Sequence, residues 1–266
     1  MITANKCVCC QGTNFTFYNG VVYPFIIYRL TGIKGSFGGC RSVVCKDCGV
    51  IFMGYRYTDD EFLKIYNGYR NEEYIKERTE DDVEYSKKND WFSKRVPYMD
   101  AIENLIKPFV KLPVTVLDWG GDTGHNAPFE DDRSLLHVYD IGDNEVIEGA
   151  LKIDQPEDRY DLVVCANVLE HVSYPVEILK EIVRTMDSHS VLYIEVPDEQ
   201  IGEIDLQVKD YLLPWHEHIN YFSPRSIGEM LDAAGLNAVN VSVVSTKITK
   251  YDIKQFLVVA KLKDKQ

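Results

Sequence analysis

The chain lacks several things, and each absence narrows its role. No stretch approaches the roughly 18 consecutive apolar residues that a membrane span requires, so membrane insertion is not expected. The N-terminus (Met1-Ile2-Thr3-Ala4-Asn5-Lys6) has no apolar signal core and meets cysteine at once, which gives a cytoplasmic expectation. Basic residues are in deficit: 29 Lys and Arg face 42 Asp and Glu, for a formal charge of −13. A phosphate backbone is repelled by such a field, and no basic stripe interleaved with aromatics appears, so nucleic acid is not an expected partner. A small anionic ligand in a locally basic pocket is not excluded. Beyond residue 50 cysteine is nearly absent, with Cys165 alone against the six (Cys7, Cys9, Cys10, Cys40, Cys45, Cys48) that precede it. Internal repeats and long linkers are lacking too.

What is present has ordinary globular proportions, 266 residues with 45% hydrophobic and 27% charged. The clustered cysteines form two C-x-x-C knuckles, Cys7-Val8-Cys9-Cys10 and Cys45-Lys46-Asp47-Cys48. In a reducing compartment such clustering points to metal chemistry rather than disulfides. Four thiolates suit a closed structural zinc site, and a unit of about 50 residues gains from such a staple. Cys7, Cys10, Cys45 and Cys48 are the candidate ligands, with Cys9 or Cys40 as replacements and reduced buried thiols as the alternative. The glycine-broken aromatic and β-branched stretches 15–18 and 21–28 read as short strands and turns. Residues 1–55 are therefore expected to form a zinc-binding β unit, and 56–110 a helical connector or lid. Its Asp59–Tyr66 run opens with acids, and Tyr66, Tyr69, Tyr74 and Tyr85 either pack its face or cap a neighbouring pocket.

From Val114 the pattern is strand, turn, helix, repeated. Apolar runs at 114–118, 135–140, 160–165 and 190–197 alternate with helical segments, and two late strands follow near 239–244 and 255–260. Near-continuous apolar strands alternating with helices indicate a doubly wound α/β sheet over 111–266. Ligands of such sheets sit beyond the carboxyl ends of the strands. There the sequence places Gly120-Gly121-Asp122-Thr123-Gly124 after one strand and Asp140 after the next. The dinucleotide fingerprint G-x-G-x-x-G is not met.

Leu117-Asp118-Trp119-Gly120-Gly121-Asp122-Thr123-Gly124 resembles motif I of class I S-adenosylmethionine-dependent methyltransferases. The run from Tyr160 to Val172, which contains Asn167-Val168-Leu169-Glu170-His171, resembles the segment around their fourth strand. With the cysteine knuckles, Trp215-His216-Glu217-His218 resembles the zinc-containing branch that includes deoxysugar C-methyltransferases. The resemblance implies a seven-stranded Rossmann-like sheet with S-adenosylmethionine as donor and S-adenosylhomocysteine as product. It places Gly120, Gly121 and Gly124 under the methionine portion, with Asp118 at the loop's start. Asp140 falls on the ribose, Asp154 on the adenine amine, and Asn167 along the cofactor. Asp122 stands where the family's middle glycine is usual, which either shifts the loop or places a carboxylate near the cofactor's amino group.

By the same resemblance His218 is the base, Glu217 an orienting or substrate-binding partner, and His171 a second substrate contact. Trp215 replaces a tyrosine of those relatives, so O- and C-methylation both stay open. In an extended segment His216 and His218 share one face, and histidine titrates near neutrality, as proton removal requires. The expected activity is methyl transfer to a small polar acceptor, a nucleotide-linked sugar or another surface-polysaccharide precursor. The other readings are a non-catalytic binding module on a decayed scaffold, supported by Asp122, and a methyltransferase acting on protein.

Overall fold

The computed structural model describes residues 2–156, 159–208, 211–248 and 251–264. The chain opens with β1 (Ile2–Thr3), β2 (Phe15–Val22), α1 (Pro24–Thr31), β3 (Gly38–Cys45), β4 (Ile51–Met53) and β5 (Tyr55–Arg56). Four helices follow: α2 (Asp59–Tyr66), α3 (Glu72–Asp81), α4 (Tyr85–Phe92) and α5 (Met99–Ile106). Next come β6 (Val114–Trp119), β7 (Arg133–Tyr139), β8 (Leu151–Lys152), β9 (Leu162–Ala166), α6 (Pro175–Val183) and β10 (Val191–Pro197). The remainder is α7 (Glu203–Leu206), β11 (Leu213–Trp215), β12 (Asn220–Tyr221), α8 (Pro224–Ala233), β13 (Leu236–Ile248) and β14 (Tyr251–Leu262). No helix among the described residues is long and apolar enough to cross a membrane.

Two units result. The first comprises Met1–Asn89, Glu170–Pro175 and Asp198–Met230; the second comprises Asp90–Leu169, Val176–Pro197 and Leu231–Gln266. These limits do not coincide with divisions at 55 and 110. The reason is strand pairing. The first unit's five-stranded sheet has the order β11-β2-β3-β4-β12, so its outermost strands come from residues 213–221. β11 runs parallel to β2 with Leu213 opposite Gly20 and Trp215 opposite Val22, and β12 pairs antiparallel to β4. The His-Glu-His segment thus belongs to the N-terminal sheet. Trp215 is fully buried, donates from Nε1 to Ser42 Oγ at 2.9 Å, and stacks on Tyr221 at 4.8 Å.

Residues 24–31 are helical, not the strand and turn that their β-branched and aromatic content suggests. Pro24 stands in the first turn, where its missing N–H has no helical acceptor to lose, and Gly32 ends α1 at φ +77°. Burial of Phe25 and Ile26 against the sheet overrides propensity. α2 carries a full capping box, with Glu61 N–H donating to Thr58 Oγ1 and Thr58 N–H to the Glu61 carboxylate. Tyr66, Tyr74 and Tyr85 are buried in this unit's core with Ile26, Ile65, Met53 and Trp215.

The second unit contains a seven-stranded sheet of order β13-β14-β10-β9-β6-β7-β8. β8, β7, β6, β9 and β10 are mutually parallel; β14 and β13 close the sheet antiparallel. The chain advances from β6 outward through β7 to β8, then restarts at β9 on the other flank of β6. That reversal makes a topological switch point between β6 and β9, the crevice where doubly wound sheets take ligands. Val116, Val138, Val164, Leu162 and Val191 pack one face against Met99, Ile102 and Ile106 of α5, whose three- and four-residue spacing forms an apolar stripe.

Candidate functional site

Three clusters of chemistry-bearing residues are built, two in the first unit and one in the second. The thiol cluster comes first along the chain. Gly49 at φ +80° and Gln11 at φ +61° turn the two knuckles, and Gly49 N–H donates to Cys45 O at 2.8 Å. Cys7 Sγ lies 3.5 Å from Cys48 Sγ, and Cys10 Sγ 3.5 Å from Cys45 Sγ, with all four sulfurs within 4.8 Å of one another. A disulfide needs about 2.05 Å. A tetrahedral zinc with bonds of about 2.3 Å has sulfur–sulfur edges of roughly 3.8 Å, which this set fits. Cys9 is buried beside it and its N–H donates to Cys7 Sγ at 3.4 Å, while Cys40 lies on β3.

The second cluster lies at the switch point. Gly120, at φ +72°, closes β6 by donating to Tyr139 O at 2.7 Å. A Cβ there would stand 2.4 Å from Val168 Cγ2, so only glycine fits this approach. Asp122 adopts φ +52°, the left-handed conformation that glycine favours and aspartate tolerates. Its N–H donates to Asp140 Oδ2 at 2.9 Å, and its Oδ1 accepts from Asn144 Nδ2 at 2.6 Å. The side chain at the family's usual glycine is therefore accommodated by the loop's own geometry.

Asp140 Oδ1 also accepts from Gly142 N–H at 2.6 Å, which fixes the acid that ends β7. Asp118 is buried, and that burial together with the Asp140 and Asp122 charges pushes its carboxyl up to about 7. Asn167 follows β9 at φ +55°; its N–H donates to Glu195 O and its Nδ2 to Glu195 Oε1 at 3.2 Å. Glu195 is buried and also accepts from the Tyr98 and Tyr193 hydroxyls at 2.7 and 2.6 Å. Asp154 is exposed beyond β8 and is not part of this network.

The third cluster gathers His171, Glu217 and His218, the residues assigned to the acceptor, from segments far apart in the chain. Glu170 O accepts from the Ile219 and Asn220 N–H groups at 2.7 and 3.1 Å, tying the two histidine segments together. Arg56, fully buried, reinforces that tie by donating to Val172 O, Ser173 O, Ile219 O and Asn220 Oδ1. His171 Nδ1 lies 2.8 Å from the Tyr66 hydroxyl and 3.1 Å from Glu217 O. His218 Nδ1 lies 2.6 Å from Glu199 Oε1. The rings of His171 and His218 are 4.7 Å apart, as are those of His216 and His218, so the latter two share a side although the backbone bends at 216–217.

Electrostatics divides the histidines. Burial, then the neighbouring His218 charge, pushes His171 down to about 3, so its ring is neutral. Burial also opposes charge on His218, but the Glu199 hydrogen bond and charge, with Glu170 and Glu217, outweigh it and raise His218 to about 9. The Glu217 carboxylate faces Arg78, which donates from Nε to Oε1 at 2.6 Å and from Nη2 to Oε2 at 3.2 Å. Burial there would favour the neutral acid; His216 and Arg78 reverse that and hold Glu217 well below the usual range. Glu199, Arg78 and Arg56 gave no sequence signal, because each meets its partner across a long stretch of chain. Glu170 lies in the Leu-Glu-His segment, where the resemblance implies roles for Asn167 and His171 only.

A family model described as a methyltransferase domain matches residues 91–241. A search of curated protein sequences finds no match. Among solved structures, the 1,6-didemethyltoxoflavin-N1-methyltransferase of Burkholderia thailandensis, with 1,6-didemethyltoxoflavin and S-adenosylhomocysteine bound, is similar. Its TM-score is 0.52 at 16% identity, over 70% of this chain and 87% of that one. The magnesium protoporphyrin IX methyltransferase of Synechocystis PCC 6803 with bound S-adenosylhomocysteine gives 0.45 at 15% identity, over 68% and 87%. A SAM-dependent methyltransferase from Methanosarcina mazei gives 0.46 at 13% identity, over 65% and 100%. At these identities the likeness is one of fold.

Proposed function

The chain belongs to the methyltransferase-domain family, and from that premise we propose that it methylates a small polar acceptor with S-adenosylmethionine as donor. The acceptor class we assign is a nucleotide-linked sugar or another precursor of a surface polysaccharide, methylated at oxygen or carbon in the cytoplasm. S-Adenosylhomocysteine is the product. A small acceptor agrees with the low-molecular-weight ligand bound to the similar Burkholderia enzyme.

The observation that carries this reading is the loop at the β6–β9 switch point: a bare backbone at Gly120 and Gly121, and acids ending β6 and β7. The donor, when bound, supplies an electrophilic methyl group. Gly120, Gly121 and Gly124 would lie under its methionine portion with Asp118 at the loop's start, Asp122 near its amino group, and Asp140 on the ribose hydroxyls. Asn167 would line it, and Asp154 would meet the adenine amine. Asp140 uses one lone pair of each oxygen on the Asp122 and Gly142 amides and retains others for hydroxyl donors.

His218, Glu217 and His171 are the groups assigned to the acceptor. His218 gives its Nδ1–H to Glu199, which orients the ring; because the ring is raised to about 9, Nε2 must first lose its own proton before it can take the acceptor's. His171 and Glu217 contact and orient the acceptor, Glu217 acting through its backbone carbonyl on His171. A zinc ion held by Cys7, Cys10, Cys45 and Cys48 is structural in this reading, stapling the knuckles of the sheet that carries β11 and β12.

Calorimetric titration with S-adenosylhomocysteine tests it. Micromolar binding, about −8 kcal/mol, is expected for the parent chain and for His218→Ala, and loss of binding for Asp140→Ala. Turnover on nucleotide sugars, read as a mass gain of one methyl group, is expected to vanish in His218→Ala. No binding by folded parent protein overturns the reading.

A further inference from the structure

We propose that Glu170, His171 and His218 form a binding site for a divalent transition-metal cation, separate from the thiol cluster. One carboxylate oxygen and two imidazole nitrogens of these residues lie within 4.8 Å of one another, and Glu170 is buried.

The hydrogen bonds engage one nitrogen of each ring and leave the other for a metal. In its Nδ1–H tautomer His171 donates to Glu217 O at 3.1 Å, a carbonyl that only accepts, with the Tyr66 hydroxyl at 2.8 Å as a second acceptor. His171 Nε2 then carries a lone pair, and it stands 3.8 Å from Glu170 Oε1, beyond hydrogen-bond length. Two electron-pair donors thus face each other across a gap that suits a cation. A carboxylate likewise only accepts, so His218 gives its Nδ1–H to Glu199 at 2.6 Å and presents Nε2. Metal-ligating histidines are held in this way, the second ring nitrogen donating to a carboxylate or a backbone carbonyl. Both forms occur here, side by side.

Ligand chemistry narrows the ion. Two imidazoles and one carboxylate suit zinc, cobalt, nickel, iron(II) or manganese, with positions left open, whereas the four thiols select softer coordination. The open positions suit oxygen ligands, which points to an acceptor with neighbouring oxygens, such as a vicinal diol or an α-hydroxy ketone. That substrate class rests on the proposed function; binding of the ion does not. Ion and proton compete for His218 Nε2. Empty, the cluster offers a base; loaded, it offers a Lewis acid to an acceptor oxygen.

The test uses the full chain with its thiol site first filled by zinc, titrated with Co²⁺ and read by visible absorption and by metal analysis after dialysis. The expected result is one cobalt per chain with weak d–d bands and no thiolate charge-transfer band. His171→Gln and His218→Gln should each weaken binding by about 100-fold or more, and Glu199→Gln by about 10–100-fold. S-Adenosylhomocysteine titration and near-ultraviolet circular dichroism of each variant separate loss of the site from loss of the fold. No cobalt retained by the zinc-filled chain, or retention undiminished in both histidine variants, overturns the proposal. Cobalt binding without S-adenosylhomocysteine binding keeps the metal site and removes the methyl-transfer reading.

Discussion

The loop at the β6–β9 switch point and the histidine cluster of the N-terminal unit are held by opposite means. The loop is shaped by backbone: a glycine against Val168, left-handed turns at Gly120, Asp122 and Gly124, and amide donors fixing Asp140. Its residues lie within a short span of chain. The cluster is shaped by side chains from four segments, around Tyr66–Arg78, Glu170–His171, Glu199 and His216–His218. A site of the first kind fails when atoms are added to it. A site of the second kind fails when a charge is left unmatched.

The largest effect should come from Arg78, because it is the charge that matches Glu217, with both side chains about 10% exposed. Its guanidinium also lies over the Phe25 and Tyr85 rings, at 5.5 and 5.1 Å. Arg78→Met leaves a buried carboxylate with only His216 beside it and is expected to destabilise the N-terminal unit by up to about 3–5 kcal/mol. Adding Glu217→Gln should return a large part of that loss. Urea unfolding of both variants checks it, and equal stability of the two would show that the pair is not what holds this segment.

The same contrast explains what could be read without coordinates. Strands β6, β7, β9 and β10 and the acids and glycines at their ends announce themselves as local patterns of apolar runs and turn residues. Asp122 looked like a departure, yet its φ of +52° keeps the glycine-like turn, and only dihedral angles could show that. The helix at Pro24–Thr31 was hidden because Ile26, Ile27 and Tyr28 favour strands and only packing overrides them. The pairing of β11 and β12 with the N-terminal sheet was equally hidden: Leu213 meets Gly20, and Asn220 meets Phe52, across most of the chain. Glu199 follows β10 in an irregular segment and meets His218 through side chains alone, so spacing does not reveal it.

Within the loop, Asp118 brings charge into a backbone-built site and so tests the distinction from the other side. Its carboxyl is pushed up to about 7 by burial and by Asp140 and Asp122, against about 3.9 unfolded. Between those values the folded chain keeps a proton that the unfolded chain releases. The Asp118 contribution to stability therefore falls as pH rises from about 4 to about 7 and levels off above, by at most roughly 4 kcal/mol, while His171, held at about 3, contributes a rise over much of the same range. Asp118→Asn should flatten that slope: no gain at pH 4, and a gain of a few kcal/mol at pH 8. Thermal unfolding of parent and variant across this range decides it, and a difference between the two that does not change with pH would place the Asp118 charge elsewhere.

The smallest effects sharpen the comparison most, since they change atoms in the loop without changing its fold. Gly120→Ala sets a methyl group into Val168 at a left-handed position, a strain of about 1–2 kcal/mol before any clash. Binding of S-adenosylhomocysteine should weaken by about tenfold or more with it. Asp122→Gly works in reverse, releasing left-handed strain while giving up the Asn144 hydrogen bond. These terms are each about 1 kcal/mol and oppose one another, so stability should move by less than that. If affinity also holds within about threefold, the loop's function resides in its backbone. If affinity falls by tenfold or more while stability holds, the Asp122 carboxylate itself meets the ligand, and the loop shares the charge-matching logic of the histidine cluster.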